Sequence, residues 1–272
     1  MRPGDLAPSM LSDCGVVHAQ HGVRRAIVLA AGLGSRLGAY TAEVPKCLVD
    51  VNGIPILANA LEHLEAAGIE ETTVVVGYRA DAVRWRFGDA LQRMSLSYCL
   101  NAAFRTTNTS RSLKLALDSI DDALLVLEGD VFFERRVLED VLAVSDADAT
   151  VVARWTPSID GSVVDIDSTG LIRGWMHKKN RPSGFVPAGL YKTVNLHRFS
   201  RAFVTERLRP ALASERVTRG GREPIETALA AIVGEGGRIR AVEATGRWIE
   251  IDDEMDLRAA EALFEGATYG PR

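Results

Sequence analysis

A chain of 272 residues, 47% hydrophobic and 25% charged, is long enough to bury a full core, and its formal net charge of -4 lacks the basic excess of a nucleic-acid binder. No run approaches the ~20 apolar residues that would span a membrane. Three cysteines, Cys14, Cys47 and Cys99, form neither a C-x-x-C pair nor an even framework, so a reduced, cytoplasmic setting is the simplest reading.

Residues 1–22 are rich in Pro, Gly, Ser and His and show no period, which predicts a flexible tail and a poor signal peptide, with His18 and His21 solvated. Residues 23–272 read as a single domain. Ala26 to Ala30 is a short, branched apolar run ending in glycine, the mark of a buried strand. Behind it, Gly32 and Gly34 let backbone N–H groups close around an anion. Arg36 adds a planar cation, and Lys46, fixed behind Pro45, a mobile one. The order predicts a phosphate cradle. It is not a P-loop, since no glycine in the chain precedes a lysine. Nor is it a dinucleotide fingerprint, because the third glycine position is Leu37 and Gly38 comes one place late.

Asn52-Gly53 predicts a tight turn, and Pro55 opens a helix to Ala67 that Gly68 stops. Thr72 to Val76 reads as a strand turning out at Gly77-Tyr78, followed by a helix over about 81–91 and a strand near 96–100. Asn108, Thr109 and Ser110 offer caps for a helix reaching Ile120, and Leu124 to Leu127 runs into Glu128-Gly129-Asp130. This alternation predicts a doubly wound, mostly parallel α/β sheet. From Thr150 the rhythm changes to strands at 150–154, 163–167, 172–175 and 189–193, expected as antiparallel additions at the sheet's edge or rim. Helices over 196–208 and 224–233, strands at 239–242 and 248–251, and a closing helix capped by Asp253 with Asp256 complete the chain.

Asp130 and Asp252 each end a strand, where ligands bind in open α/β sheets, and two such carboxylates can share one Mg²⁺. The plainer role for such aspartates is capping of the next turn. The segment L-A-A-G-x-G-x-R-L followed by P-K resembles the nucleotidyltransferases that join an NTP to a phosphorylated small molecule. T-N-x-x-x-S-L before an apolar helix is similar to phosphocholine-type cytidylyltransferases, and G-L-Y-K-T-V-N resembles a strand end of phosphonate cytidylyltransferases. These motifs cover about residues 25–255.

The resemblance implies a Rossmann-like nucleotidyltransferase fold, with a nucleotide half over about 23–145 and an acceptor half over about 146–265. Ala30, Ala31, Gly32, Gly34, Arg36, Lys46, Gly77, Tyr78, Asn108 and Ser112 would hold the nucleotide, with Arg36 and Lys46 also catalytic. Asp130 and Asp252 would hold Mg²⁺. Four of the five lysines fall on the expected site, so Lys178, Lys179 and Lys192, with Glu226, are the acceptor candidates, although a lysine run is often just a solvated face. Few aromatics stand near Glu226, which argues against a choline headgroup. The expected partners are CTP, or another NTP, and a small phosphorylated or phosphonate acceptor. Nucleic acid and membrane are not expected, and a homodimer is left open. Sugar-1-phosphate uridylyl- or guanylyltransfer is the nearer alternative, and a non-catalytic nucleotide-binding module the more distant one. The absence of D-x-D disfavours a glycosyltransferase.

Overall fold

The computed structural model describes residues 22–144 and 146–266, so the expected tail over residues 1–21 lies outside it. Arg25–Ala30 is the axis of a ten-stranded sheet. It is flanked in parallel by Glu71–Val76 on one side and Leu124–Glu128 on the other, with Met94–Leu100 parallel beyond Glu71–Val76. Alternate residues of this axis enter different cores. Ala26, Val28 and Ala30 pack with the helices Ile56–Ala66, Ala80–Phe87 and Arg135–Leu142. Ile27, Leu29 and Ala31 pack with Thr109–Leu117, Ile225–Gly234 and the helical stretch around Phe203 to Leu212. Each fully buried Val, Leu or Ile on these strands contributes roughly 1.5–3 kcal/mol, so a strand buried on both faces commits the chain to the doubly wound arrangement.

The fold is therefore mixed α/β, a mostly parallel sheet with antiparallel strands added. One expectation fails in detail. The strand Tyr191–Phe199 does not stop at residue 193, and no helix begins at Leu196. Asn195 adopts a left-handed φ of 63°, the pairing with Ala149–Arg154 shifts between Thr193 and His197, and the strand resumes. Its second half lies antiparallel to Leu124–Glu128 (Leu196 opposite Leu127, Phe199 opposite Leu124), so this strand sits inside the sheet and not on its rim. The bulge aims Asn195 at the ends of the parallel strands. The helix over about 81–91 is shorter, Ala80–Phe87, because Gly88 turns the chain into the short edge strand Ala90–Leu91.

A third, smaller core decides where the site's side chains stand. Leu37, Val49, Val51, Ile56, Phe132, Ile251, Leu257, Ala260 and Phe264 form one buried cluster. Leu37, Phe132 and Ile251 lie within two residues of Arg36, Asp130 and Asp252, and Val49 is three from Lys46. The short strands Val131–Phe133 and Trp248–Glu250, remote in sequence, pair antiparallel, with Glu250 opposite Val131, and Ile251 N–H donates to Asp130 O at 2.9 Å. Buried Asn59 pins this pair to the helix Ile56–Ala66, donating to Phe133 O at 3.0 Å and accepting from Phe133 N–H at 3.1 Å. The capping box of the helix Glu254–Leu263 works from the other side, Asp256 accepting from the N–H of Asp252 at 2.8 Å and of Asp253 at 3.1 Å. Among the described residues no helix is long and apolar enough to cross a membrane.

Candidate active site

The carboxyl ends of the parallel strands open into a cleft of about 420 Å³. The loop after Arg25–Ala30 forms one wall. Gly34 has φ 66°, and a Cβ there would stand 2.7 Å from Lys46 Cβ, so glycine permits both the turn and the lysine's approach. Thr41 Oγ1 donates to Gly34 O at 2.9 Å and closes the loop. Lys46 is buried, and its Nζ lies 2.9 Å from Asp130 Oδ2 and 2.8 Å from Asp252 Oδ1. Arg36, more exposed, reaches the same Asp252 Oδ1 at 2.9 Å.

These contacts set the protonation states. Burial alone would lower the Lys46 ammonium, but Asp130 and Asp252 outweigh it and hold the group above the ordinary lysine value. Burial opposes ionisation of Asp252, yet Lys46 and then Arg36 bring its carboxyl below the usual range. Cys47, also on the cleft, is pushed up to about 12 by burial, so it remains a neutral thiol at pH 7. Asp130 Oδ1 is buried without a hydrogen-bond partner. Two carboxylates that meet one ammonium at these distances can share one divalent cation. Among the described residues no group of three or more His, Cys, Asp or Glu could hold a metal, so most of the coordination shell would come from phosphate and water.

Asn108 and Ser112 line the opposite wall. Asn108 caps the helix Thr109–Leu117 through Thr109 N–H at 2.8 Å, and Ser112 Oγ accepts from Asn101 Nδ2 at 3.1 Å. Gly77 lies behind the wall: a Cβ on it would come within 2.5 Å of Ala31 O and 2.7 Å of Phe104 Cβ. Tyr78 turns away, donating to Ala42 O at 2.8 Å. Ala30, Ala31, Gly32, Gly34, Arg36, Lys46, Asn108, Ser112, Asp130, Asp252 and Glu226 thus share one cleft, while Gly77 and Tyr78 buttress it.

The lysines of the acceptor half do not line that cleft. Lys178 is exposed and paired with Asp160 at 2.8 Å, and Lys179 follows it in a short 3-10 turn. Lys192 is 2% exposed, beneath Gly161, with Nζ 2.8 Å from Glu250 Oε2 and donating to Thr193 O at 2.5 Å. Its visible consequence in the cleft is to hold Glu250.

Sequence reasoning passed over Glu128, Glu250 and Asn195, which line the cleft together with His177, the neighbour of Lys178. The signal for the first two was available, because each strand-end aspartate is preceded at two residues by a glutamate, in E-G-D and E-I-D. Asn195 Nδ2 reaches Glu128 Oε2 at 3.3 Å and Glu250 Oε1 at 3.5 Å. Burial, reinforced by Glu226, Asp130 and Glu250, holds the Glu128 carboxyl well above its ordinary value. Burial also raises Glu250, against the pull of Lys192.

A glycine loop, a buried lysine and paired strand-end aspartates around one polar cleft define a nucleotide-handling α/β domain. Residues 26–230 match the MobA-like NTP transferase domain, and the chain belongs to that family. It is 37% identical over 242 residues to the CMP-5'-(3-aminopropyl)phosphonate synthase of Streptomyces rubellomurinus, covering 88% of this chain and 38% of that protein. It is 24% identical over 249 residues to the CTP:phosphoglutamine cytidylyltransferase of Campylobacter jejuni, covering 85% of this chain and 97% of that one. The inositol-1-phosphate CTP transferase of T. maritima has the same fold, with a TM-score of 0.72 at 18% identity over 91% of this chain and 99% of that chain. The chain thus spans about two fifths of the Streptomyces relative's length.

Proposed function

We propose that this domain transfers a cytidylyl group from CTP to a phosphonate or phosphate oxygen of a small molecule and releases pyrophosphate. The observation that carries the reading is the convergence of the Gly32–Gly34 loop, Lys46, Arg36, Asp130 and Asp252 on one cleft. The two cytidylyl relatives, one acting on a phosphonate and one on a phosphorylated compound, support the choice of base and acceptor.

The reaction is an in-line attack of an acceptor oxygen on the α-phosphorus, forming a P–O–P bond and breaking the bond to the β-phosphate. A phosphate acceptor has a second pKa of about 6 and is largely dianionic at pH 7, so it needs no general base. The obstacle is repulsion between the reacting anions, about 4 kcal/mol for two unit charges ~4 Å apart at an effective dielectric near 20. Lys46 and Arg36 are the chain's own counter-charges. They are held at the cleft by Asp130 and Asp252, and on substrate arrival their side chains turn to phosphate oxygen over a backbone that stays still. Asp130 and Asp252 would hold Mg²⁺, which would offset charge on the triphosphate. Backbone N–H groups from Ala30 to Gly34 face the nucleotide, with Asn108 and Ser112 opposite.

The test is pyrophosphate release from each of four NTPs against a set of alkyl phosphonates, phosphomonoesters and hexose 1-phosphates, with Mg²⁺. Preference for CTP with a non-sugar phosphonate or phosphate is expected. Turnover confined to UTP or GTP with a hexose 1-phosphate would overturn the reading, as would nucleotide binding without pyrophosphate release across the whole set.

A further inference from the structure

The wall that carries Asn108 and Ser112 is bolted to a second helix that also lines the cleft. Asn108, Thr109 and Ser110 each bind the turn that leads into the helix Ile225–Gly234. Asn108 N–H donates to Gly221 O at 2.7 Å, Ser110 Oγ donates to Glu223 O, and Thr109 Oγ1 accepts from Ile225 N–H at 2.9 Å.

The bond from Thr109 fills a gap. The first N–H groups of a helix have no partner within it, and this helix follows Pro224, whose side chain has no oxygen to offer. The Thr109 hydroxyl, 116 positions earlier in the chain, takes the place of the missing N-cap. The close approach is built into the turn. Arg219, Gly220 and Gly221 are successive left-handed residues, with φ 47°, 71° and 80°. A Cβ on Gly221 would stand 2.7 Å from Arg111 Cβ, so glycine permits both the backbone conformation and the contact. Thr218 O closes the turn, accepting from the N–H groups of Gly221, Arg222 and Glu223 at 2.9, 3.0 and 3.2 Å.

Pro224 and Glu226, at the helix start, line the cleft. Glu226 is only 6% exposed; its Oε1 accepts from Ser162 Oγ at 2.7 Å, and among the described residues Oε2 has no hydrogen-bond partner. A single bond from the carboxyl leaves its place dependent on where the helix begins. We propose that Thr109 is a positioning residue for the acceptor: by capping a helix to which it does not belong, it holds Pro224 and Glu226 at the separation from the Asn108–Ser112 wall that acceptor binding needs. This rests on the nucleotidyl-transfer reading and adds to it a residue that acts through another.

The experiment uses Thr109→Val and Thr109→Ala, which remove the accepting oxygen, and Thr109→Ser, which keeps it. On the full chain, CTP affinity is measured by calorimetry, KM and kcat for the alkyl phosphonate or phosphomonoester of highest turnover, and amide hydrogen exchange at Ile225, Glu226 and Thr227. Thr109→Val should raise the acceptor KM and the exchange rates by about threefold to tenfold, the fold-change that loss of an N-cap brings. CTP affinity should not change, because Asn108 still caps its own helix. Thr109→Ser should behave as wild type. Ser200→Ala removes the cap of the helix Arg201–Phe203, does not touch the cleft, and should leave the acceptor KM unmoved. An unchanged acceptor KM in a folded oxygen-free variant would overturn the proposal. So would a CTP affinity that falls in step with it, which would make the hydroxyl a nucleotide contact. Thr109→Ala supplies the same comparison if Thr109→Val fails to fold. If no acceptor releases pyrophosphate, the transfer reading fails by itself, and exchange decides the role of Thr109: equal rates at Ile225 in wild type and the oxygen-free variants would overturn it.

Discussion

Replacing Lys46 by methionine keeps much of the aliphatic stem and removes the charge that two carboxylates share. At 2.9 and 2.8 Å, each pair is worth about 6 kcal/mol of gross attraction at an effective dielectric near 20. Most of that is offset by desolvation of the three groups, and loss of one partner of a buried pair costs about 3–5 kcal/mol. The Asp130 and Asp252 side chains are 21% and 31% exposed, so water can reach the abandoned carboxylates, which sets the expectation at the low end, about 3 kcal/mol. For a chain approaching this size that lowers Tm by about 6–12 °C, readable by calorimetry without nucleotide or metal. Adding Asp130→Asn should restore part of the loss, since Asp252 keeps Arg36 while the charge left on Asp130 is then gone. The pH dependence has a definite sign. The folded-state ammonium lies above the ordinary value of 10.5, so the wild-type advantage is complete at neutral pH and is lost only as pH rises above 10.5. A Tm shift below about 1 °C, or strictly additive single variants, would refute the idea that Lys46 neutralises this pair.

Three further outcomes are expected. Asp252 has its folded value below 3.8, because Lys46 and Arg36 overcome the opposing effect of burial; its contribution is present above pH 3.8 and lost as pH falls through the folded value. The stability gap between wild type and Asp252→Asn, followed by urea unfolding at stepped pH, should therefore narrow in acid, and a gap that widens would contradict the assignment. Gly34→Ala forces a left-handed residue with a Cβ against Lys46, costing about 1–2 kcal/mol of stability and weakening CTP binding; an unchanged Tm and titration would remove the loop from the cradle. Asp130→Asn should retain the Lys46–Asp252 pair and a near-native melting curve yet lose about 10²–10³ in kcat, and full turnover would exclude Asp130 from the chemistry.

The glycine-loop wall of the cleft was legible in the sequence because its determinants are local. A buried strand, two glycines and an arginine occur within a dozen residues, and each acts through backbone geometry that its own letters dictate. The far wall was not, because it is assembled by register. Leu196 and Phe199 are spaced as on a helix face, and only the bulge at Asn195 turns them into a strand beside Leu124–Glu128. The same register carries Lys192 under Gly161 to Glu250, so a lysine conspicuous by its rarity serves a carboxylate behind the surface. Glu128 and Glu250 were visible as letters, but nothing local says that Val131–Phe133 and Trp248–Glu250 pair and bring them to one cleft.

That pairing also explains how residues remote in sequence can meet with the precision that charge stabilisation needs. Asp130 and Asp252 are 122 positions apart, yet the backbone bond from Ile251 to Asp130 fixes their carriers directly to each other. Leu37, Phe132 and Ile251, neighbours of the charged residues, are all buried in the same small core. A cluster of apolar contacts is the cheaper anchor, since it bears no charge that substrate could displace. Lys46 and Arg36 can then exchange carboxylate for phosphate oxygen while the backbone beneath them stays still. Glu226 is held by a separate helix and a single serine, outside that small core. On the proposed transfer reading, the division would let one end of the cleft change its chemistry without disturbing the other, the arrangement expected of one fold that serves many acceptors.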